Sequence, residues 1–423
     1  MRTHQRSSLV KYVVLFLIYA AVMGLYVWVT SPNTVPAEYR GGPADPATFF
    51  TPQQLEDSAK LNSARYWITF MSGPWEWLIY GFLLLGGLSR YWREMLERRF
   101  PIVIRFPIFV LLVQAASFLL YLPLRIFGYS LSKNYGISTQ PVASWIRDKL
   151  VAFGIGYVTV LVVAAVAFWI ISRGGRWWLK LWLLSIPFIV FMMYIQPVVI
   201  DPIYNDYYRL SDPALEQSIL DLAAKADIPA DRVYEVNMSK KTNSINAYVN
   251  GLGSSLRIVL WDTTLMKLTE QQILLIMAHE MGHYVKHHLE WSALGAVGSS
   301  LALLFIGSVL YRWAVRKWGN RLGIRSLSDM TALPLILLLL SLISFVSMPL
   351  SNAISRNAES ASDTYAFELI GNSEGAVSMY QTMTITGLGD VNPPSLIKWI
   401  WNTHPTDMER IMRAVQYAEQ HGR

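Results

Sequence analysis

The first half of the chain alternates long apolar runs with short polar loops. A helical run of about 20 apolar residues can cross the roughly 30 Å apolar core of a bilayer. We predict five such spans, over Tyr12–Val29, Tyr66–Trp92, Phe106–Leu124, Val151–Ile171 and Leu181–Ile200. A signal peptide is the alternative for the first run, but Ser31–Thr34 does not resemble a small-residue cleavage site. The first run is therefore predicted to be a retained span.

After Asp201 the pattern becomes that of a soluble α/β segment. Asp212-Pro213 predicts a helix start, and an apolar stripe at helical spacing follows it. Thr269-Glu270-Gln271-Gln272 is a capping box and predicts the start of a later helix. Short strands are predicted over Val233–Met238 and Arg257–Trp261, with Asn246–Val249 as a possible third strand.

Two more apolar runs, Trp291–Trp313 and Met330–Leu350, precede a polar and mostly helical last segment. The predicted fold class is therefore a mainly α, polytopic membrane protein with about seven spans and an α+β domain split by the last two. We expect five spans in residues 1–200, the first half of the domain in 201–290, spans six and seven in 291–350, and the second half in 351–423. The two halves would have to meet beside the membrane.

Composition agrees with a membrane protein. Hydrophobic residues make up 53% of the chain and charged residues 15%, and the mean hydropathy is +0.31. These values are typical of an integral membrane protein. The absence of cysteine excludes disulfides, a thiol nucleophile and cysteine metal ligands. The net charge of +7 comes from short basic loops beside the spans and not from a basic tract of the kind that binds nucleic acid. We therefore expect a lipid bilayer and no nucleic acid among the partners.

The basic loops also predict an orientation. With the N-terminus inside, the inner segments hold about 16 Lys and Arg residues and the outer loops before Asp201 hold about seven. The positive-inside rule then places the soluble domain outside the cytoplasm, in a protein of the bacterial inner membrane.

The candidate chemistry lies in His279-Glu280-Met281-Gly282-His283, within a helix. Two histidines four residues apart lie on one helix face, so both imidazoles can bind one zinc ion. A carboxylate between them can take a proton from water beside the metal. Four of the seven histidines of the chain lie within residues 279–288, and a helix with ordinary surface histidines is the alternative.

A catalytic zinc site needs a third protein ligand, and Glu359 is the best candidate. If its segment is helical, Asn352, Arg356, Glu359 and Asp363 share one face directly after the seventh span. A solvated helix face is the alternative interpretation. Together with the histidines, Glu359 on this face would complete a zinc site of two histidines and one glutamate. Asp363 would then be a carboxylate that contacts the ligands and not the metal.

At these residues the chain resembles the integral-membrane M48 zinc metallopeptidases of the Ste24 type, the CAAX prenyl proteases, with HtpX-like proteases as more distant relatives. The histidine helix, Glu359-x-x-x-Asp363 and Asn246-Ala247-Tyr248 all match the motifs of that family. Further matches are Pro202-Ile203-Tyr204-Asn205, Arg257–Leu260 with Asp262-Thr263, and His404-Pro405-Thr406 before Glu409-Arg410. The resemblance implies a gluzincin-like domain and a zinc endopeptidase.

The resemblance also implies roles for individual residues. His279, His283 and Glu359 would bind one zinc ion per chain, and Glu280 would be the general base. Asp363 is a proton donor in the family, although its spacing equally allows it to orient a ligand histidine. A peptide or protein substrate would lie extended along the edge strand at Asn246, Ala247 and Tyr248. Arg356 and His404 are candidate stabilisers of the transition state, and a capping role before Pro405 is the alternative for His404.

Three other residues are open to more than one interpretation. His287 continues the His279/His283 face by one turn, but no glutamate lies between His283 and His287. We therefore interpret His287 and His288 as polar residues at a helix end near the membrane surface. Glu76 lies inside the second apolar run, where a charge is either functional or close to the membrane interface.

Two other functions are possible on sequence alone. An intramembrane-cleaving metalloprotease would place the histidines inside a span, but here Glu270–Gln272 and Lys286–His288 flank them. A non-enzymatic, metal-sensing seven-span protein would need polar residues in several spans. Within the protease hypothesis the substrate is open between prenylated C-terminal peptides and membrane-associated or misfolded proteins.

Overall fold

The structure, a computed structural model, describes residues 2–30, 32–250 and 256–421. It is 76% helical, which confirms the mainly α fold class. The first half consists of α1 (Arg2–Val29), α2 (Pro52–Leu85), α3 (Leu88–Arg99), α4 (Ile102–Asn134), α5 (Val142–Ser172) and α6 (Trp177–Ile195). Residues 196–200 form a single π-helical turn, and the short helix α7 (Asp201–Tyr204) follows it.

The second half begins with a mixed segment and ends in helices. In chain order it contains β1 (Tyr207–Arg209), α8 (Pro213–Lys225), β2 (Val233–Val236), β3 (Ala247–Asn250), β4 (Arg257–Trp261), α9 (Asp262–Lys267) and α10 (Glu270–Val285). The remaining helices are α11 (His288–Leu322), α12 (Leu333–Ile370), α13 (Ala376–Gly387), α14 (Ser395–Ile400) and α15 (Asp407–Gln420). The predicted helix starts are confirmed, since Asp212 caps α8 and the Thr269 box caps α10.

Several helices are long and apolar enough to cross a membrane. Five pass that test within the described residues, and a bent pair over residues 177–204 is a sixth candidate. The five are Ser7–Val29, Ile102–Asn134, Val142–Ser172, His288–Leu322 and Met330–Ile370. The chain is therefore a multi-pass membrane protein, as its apolar runs predict.

The predicted end of the second span, Tyr66–Trp92, is wrong. Helix α2 ends at Leu85, and Gly87 takes a left-handed conformation with φ of 75°. Only glycine adopts this conformation without strain. Trp92 consequently lies on the separate helix α3. The helix α2 does not appear among the five candidates, and its polar first half packs on the C-terminal part of the chain, where Ser58 Oγ donates to Gly389 O at 2.8 Å.

Successive long helices run between two ends of one bundle. At one end, Arg93 on α3 pairs with Asp329, in the turn between α11 and α12, at 2.7 Å. At the other end, the loop after α4 contacts the segment before β3, where Thr139 Oγ1 donates to Ser239 O at 2.7 Å. We call the second end the sheet end, because the four strands lie there.

The four strands form one sheet in the order β1-β2-β4-β3. Strands β2 and β4 are parallel, and the other two pairs are antiparallel. Within the described residues β3 pairs with β4 alone, so it is an edge strand. The fully buried Ile258 and Leu260 of β4 join Ile273 and Met277 of α10 in one apolar core.

A close approach of α10 and α12 brings the polar residues of the two helices together. A Cβ atom placed on Gly282 would lie 3.2 Å from the Cα atom of Ser362. A larger residue at this position would therefore push the helices apart. Helix α12 is continuous from Leu333 to Ile370 and passes through the expected domain boundary at residue 350. One rigid helix thus extends from the opposite end of the bundle to the polar face that carries Glu359 and Asp363.

Candidate metal centre and active site

Three predicted ligands meet where α10 crosses α12. The Nε2 atoms of His279 and His283 are 3.2 Å apart. Glu359 reaches both rings, with Oε2 at 3.2 Å from His279 Nε2 and Oε1 at 3.4 Å from His283 Nε2. All three ligand atoms lie within 4.8 Å of one another, close enough to bind a single ion.

The atoms of this cluster fit a cation. Glu359 Oε2 is buried and accepts no hydrogen bond of normal geometry from any described residue. Two imidazole nitrogens that face each other and a carboxylate cannot satisfy one another unless protons or a cation lie between them. Two histidine nitrogens and one carboxylate oxygen are a frequent donor set of catalytic zinc sites.

The inner side of the cluster is braced by a buried carboxylate. Asp363 Oδ1 lies 2.9 Å from His279 Nδ1, and the Asp363 side chain is fully buried. Since a carboxylate only accepts, this contact favours the His279 tautomer that keeps its Nε2 lone pair for a metal. Arg410 and Arg413 each donate to Asp363 at 2.6 Å, and the Tyr380 hydroxyl donates at 3.1 Å.

The same carboxylates affect the protonation of His279. Burial lowers the pKa of its imidazole, but the adjacent carboxylates of Asp363 and Glu359 outweigh burial and raise that pKa to about 9. A proton and a metal ion therefore compete for this ring, and metal binding releases the proton.

On the outer side, His283 is partly open to solvent, with 27% of its side chain exposed. Its Nδ1 atom lies 3.0 Å from Nδ1 of His288, the first residue of α11. His288 lies at a helix end, as the sequence predicts, and it also contacts a predicted ligand histidine. His287 does not continue the histidine face, because α10 ends at Val285. His287 is left-handed, with φ of 56°, and contacts Glu290 instead.

Glu280 lies on α10 between the two histidine ligands. Burial raises the pKa of its carboxyl group above the ordinary value, while the nearby imidazoles of His279 and His283 act in the opposite direction. A buried carboxylate with a raised pKa is typical of a general base in an active site.

The two candidate stabilisers have different positions. His404 Nε2 lies 3.4 Å from Glu359 Oε2, and loss of hydration lowers the pKa of the His404 imidazole while the Glu359 carboxylate acts in the opposite direction. Arg356 donates to the carbonyl oxygens of Lys398 and Asn402 at 3.1 and 2.7 Å. Arg356 therefore holds the loop that carries His404 and does not reach into the ligand cluster itself.

The predicted substrate strand lies beside α10. Asn246 precedes β3, and both its backbone N–H and its carbonyl oxygen are engaged by the Thr264 hydroxyl, at 3.0 and 2.6 Å. Ala247, the first residue of β3, is buried, and the Tyr248 hydroxyl lies 3.1 Å from that of Tyr207. Among the described residues the second edge of β3 has no partner strand, and Asn246 anchors the start of the strand.

Comparison with known proteins identifies relatives over most of the chain. Residues 209–418 match the model of peptidase family M48, and residues 34–206 match the model described as CAAX prenyl protease N-terminal, five membrane helices. The uncharacterized metalloprotease YhfN of Bacillus subtilis is 41% identical over 401 residues, which are 94% of each chain. A CAAX prenyl protease 1 homolog of Dictyostelium discoideum is 29% identical over 290 residues, which are 67% of this chain and 66% of that protein.

A solved structure has the same fold. The crystal structure of S. mikatae Ste24p superposes with a TM-score of 0.76 and covers 95% of this chain and 96% of that one, at 20% sequence identity. The membrane helices and the polar segments thus share one architecture with that protein.

Proposed function

The chain belongs to peptidase family M48, in its Ste24-type membrane group, and from this premise we propose a zinc endopeptidase whose active site is the cluster of His279, His283 and Glu359. Membership confirms the resemblance predicted from the sequence and makes the chain a membrane metallopeptidase. It also removes the non-enzymatic alternative. The observation that carries the proposal is the convergence of three ligand atoms within 4.8 Å, next to Glu280.

We propose zinc as the metal, one ion per chain, held by the three ligand side chains. Bound zinc supplies Lewis-acid chemistry, which makes a water molecule more acidic and polarises a peptide carbonyl. Asp363 holds the ring of His279 in the binding tautomer. Both Asp363 oxygens are already engaged by arginines, which favours this orienting role over that of a proton donor.

Glu280 is the proposed general base. Its carboxylate takes a proton from the attacking water and returns that proton to the leaving amine. His404 lies within reach of the ligand group, and its ring N–H stabilises the negative charge that develops on the substrate carbonyl. Arg356 positions the His404 loop through the two carbonyl oxygens to which it donates.

The proposed substrate is an extended peptide that pairs with β3. An edge strand supplies main-chain hydrogen bonds to any sequence, so affinity would come from the backbone and selectivity from side-chain pockets. Several relatives are named CAAX prenyl proteases. We propose prenylated C-terminal peptides and membrane-associated or misfolded proteins as the substrate class.

We further propose seven membrane crossings and a peptidase domain divided by the last two. The proposed crossings are helices α1, α2, α4, α5, α6, α11 and α12. Five crossings before Asp201 would bring residues 201–287 to the sheet end. The two crossings of α11 and α12 would then return the C-terminal end of α12 to that same end. The excess of basic residues, about 16 against about seven, lies at the opposite end and favours a sheet end outside the cytoplasm of a bacterial inner membrane. Reporter fusions after Ile200 test this side, and cytoplasmic activity there would overturn it.

The decisive test of the catalytic proposal is Glu280→Gln. Because the substitution removes the base and keeps the ligands, we expect unchanged zinc content and a loss of peptide cleavage of about 10²- to 10⁴-fold. The measurements are elemental analysis of the purified protein and cleavage of a peptide library. Glu270→Gln, the same substitution at an exposed position of α10, is the matched control and should keep full activity. Full activity of Glu280→Gln would refute the proposed mechanism.

A further inference from the structure

The chain segment that leads into the proposed substrate strand forms neither a helix nor a strand. It comprises residues 239–246, which follow β2 and end directly before Ala247, the first residue of β3. We call it the lead-in segment. Because no regular secondary structure holds this segment, its position depends on the bonds that its side chains and backbone groups form with neighbouring elements. These bonds come from two different parts of the molecule.

Helix α9 holds one side of the lead-in segment. The carboxylate of Asp262, the first residue of α9, accepts a hydrogen bond from the backbone N–H of Ser239 at 2.8 Å. The next residue, Thr263, donates its hydroxyl to Ser244 O at 2.6 Å. The ammonium group of Lys267, at the end of the same helix, also donates to a carbonyl oxygen of the segment. Since α9 directly follows β4, the partner strand of β3, these bonds lie within the peptidase domain.

The membrane helices hold the other side of the lead-in segment, through the loop between α4 and α5 (residues 135–141). The backbone N–H of Asn243 donates to Ile137 O at 2.9 Å, and the backbone N–H of Thr139 donates to Lys241 O at 3.2 Å. The Thr139 hydroxyl donates to Ser239 O at 2.7 Å. The α4–α5 loop and the lead-in segment are therefore joined by hydrogen bonds that run in both directions.

An ion pair of low exposure adds to these bonds. Lys241 Nζ lies 2.8 Å from Asp148 Oδ2, and the two side chains are only 19% and 17% exposed. Asp148 lies in the second turn of α5, and Gln140 of the α4–α5 loop donates to the same carboxylate oxygen at 2.8 Å. Lys241 also donates to the carbonyl oxygen of Tyr204, the last residue of α7, at 2.7 Å. One ammonium group thus connects the lead-in segment to α5 and to α7 by charge-assisted hydrogen bonds.

These contacts bear on the alignment of β3 with the metal cluster. The lead-in segment continues into β3 without a break, whereas the three ligands lie on α10 and α12. A peptide that pairs with the free edge of β3 must place its scissile carbonyl at the metal, and a misplacement of about 1 Å is costly. Loss of the Lys241 contacts would release one side of the lead-in segment and leave the ligand helices in place.

We propose that Lys241 is a positioning residue for the substrate: through Asp148 and Tyr204 it fixes the start of β3 against the membrane helices, so that a peptide paired with β3 is aligned with the metal cluster. The inference rests on the proposed peptidase function and extends it, because it gives α5 and the α4–α5 loop a part in substrate binding. Lys241 itself touches neither the metal ligands nor the reacting atoms.

The test is steady-state kinetics of the purified full-length protein in detergent, with the single library peptide that the wild type cleaves fastest as the probe. Lys241→Met removes both bonds of the ammonium group. Since poor alignment of β3 weakens binding of substrate and transition state equally, KM should rise while kcat and zinc content stay unchanged. We expect a rise of about five- to tenfold, the equivalent of one main-chain hydrogen bond. Lys241→Arg keeps the charge and should restore KM, and Lys240→Met, at the exposed neighbouring position, is the matched control.

Two further variants separate positioning from folding. Lys241→Met leaves the Asp148 carboxylate without its cation, which can destabilise the protein. The double variant Lys241→Met/Asp148→Asn removes both charges, so it should have the wild-type thermal midpoint and still show the raised KM. Thr139→Val keeps the ion pair and removes only the hydroxyl that donates to Ser239 O, so KM should rise by a smaller factor of about two to three.

Three results would contradict the inference in different ways. Unchanged KM in both Lys241→Met and the double variant, with normal cleavage by the wild type, would show that Lys241 does not position the substrate. A fall in kcat together with loss of zinc in the double variant would assign Lys241 to the stability of the metal site instead. If the wild type cleaves no peptide of the library at all, the proposed peptidase function fails, and the inference fails with it.

Discussion

The two histidines of the metal cluster lie one turn apart on α10, yet their second ring nitrogens meet different surroundings. His279 faces the fully buried Asp363, which is itself held by two arginines. His283 is 27% exposed and faces the ring of His288. One side of the site is therefore fixed by buried charges, and the other is open towards solvent.

This difference assigns separate tasks to the two sides. A buried, hydrogen-bonded carboxylate fixes tautomer and ring orientation, so the inner side is preorganised for metal binding. The outer side lacks such a brace and lies next to the break between α10 and α11. We expect substitutions on the inner side to affect folding and metal binding together, and those on the outer side to affect metal binding alone.

The largest effect is expected for Asp363→Asn. The substitution leaves the partly buried Arg410 and Arg413 without their carboxylate; breaking a fully buried pair costs about 3–5 kcal/mol, so we expect a destabilisation towards the lower end of that range. It also removes the acceptor that fixes His279. We expect a lower thermal midpoint by scanning fluorimetry in detergent, and a weaker zinc affinity by chelator competition.

The matched control for this variant is Glu368→Gln, which removes the same charge from an exposed position of the same helix. It should leave both quantities within about 0.5 kcal/mol of the wild type. An Asp363→Asn protein with unchanged thermal midpoint and zinc affinity would show that the inner side is not braced by charge.

His288→Ala is expected to have a smaller effect and to be confined to the outer side. Loss of a side chain that contacts a metal ligand typically lowers metal affinity by about 10- to 100-fold. The thermal midpoint of the metal-free protein should not change, because His288 is only partly buried. His287→Ala removes the adjacent histidine, which contacts Glu290 at 3.2 Å and not a ligand, and it should keep full affinity. Equal zinc affinity of His288→Ala and His287→Ala would show that His288 does not contribute to zinc binding.

The sequence predicts some parts of this arrangement better than others. Helical periodicity alone brings His279 and His283 to one face, and Glu359 and Asp363 to another. The brace cannot be predicted in this way, because Arg410 and Tyr380 reach Asp363 from α15 and α13 through tertiary packing. The contact between His288 and His283 could not be predicted, because it depends on the left-handed turn at His287 between α10 and α11. Similarly, the left-handed Gly87 ends α2 inside a run whose hydrophobicity continues.

The smallest expected effect concerns the pH dependence of kcat/KM. Glu280 must be ionised to act as a base, and burial raises its pKa. Activity should therefore fall as pH decreases through a midpoint above the ordinary glutamate value of about 4.3. Below that midpoint kcat/KM should decrease about tenfold per pH unit.

Protonation of His279 competes with metal binding and could produce a similar decline. The two causes separate when zinc content is measured at each pH, because loss of the base leaves the metal bound whereas protonation of the ligand releases it. Since His288→Ala loosens only the outer side, it should shift the pH at which zinc is lost and not the kcat/KM midpoint of the zinc-loaded enzyme. A midpoint at or below the ordinary glutamate value, with zinc fully retained, would contradict the assignment of Glu280 as a buried base.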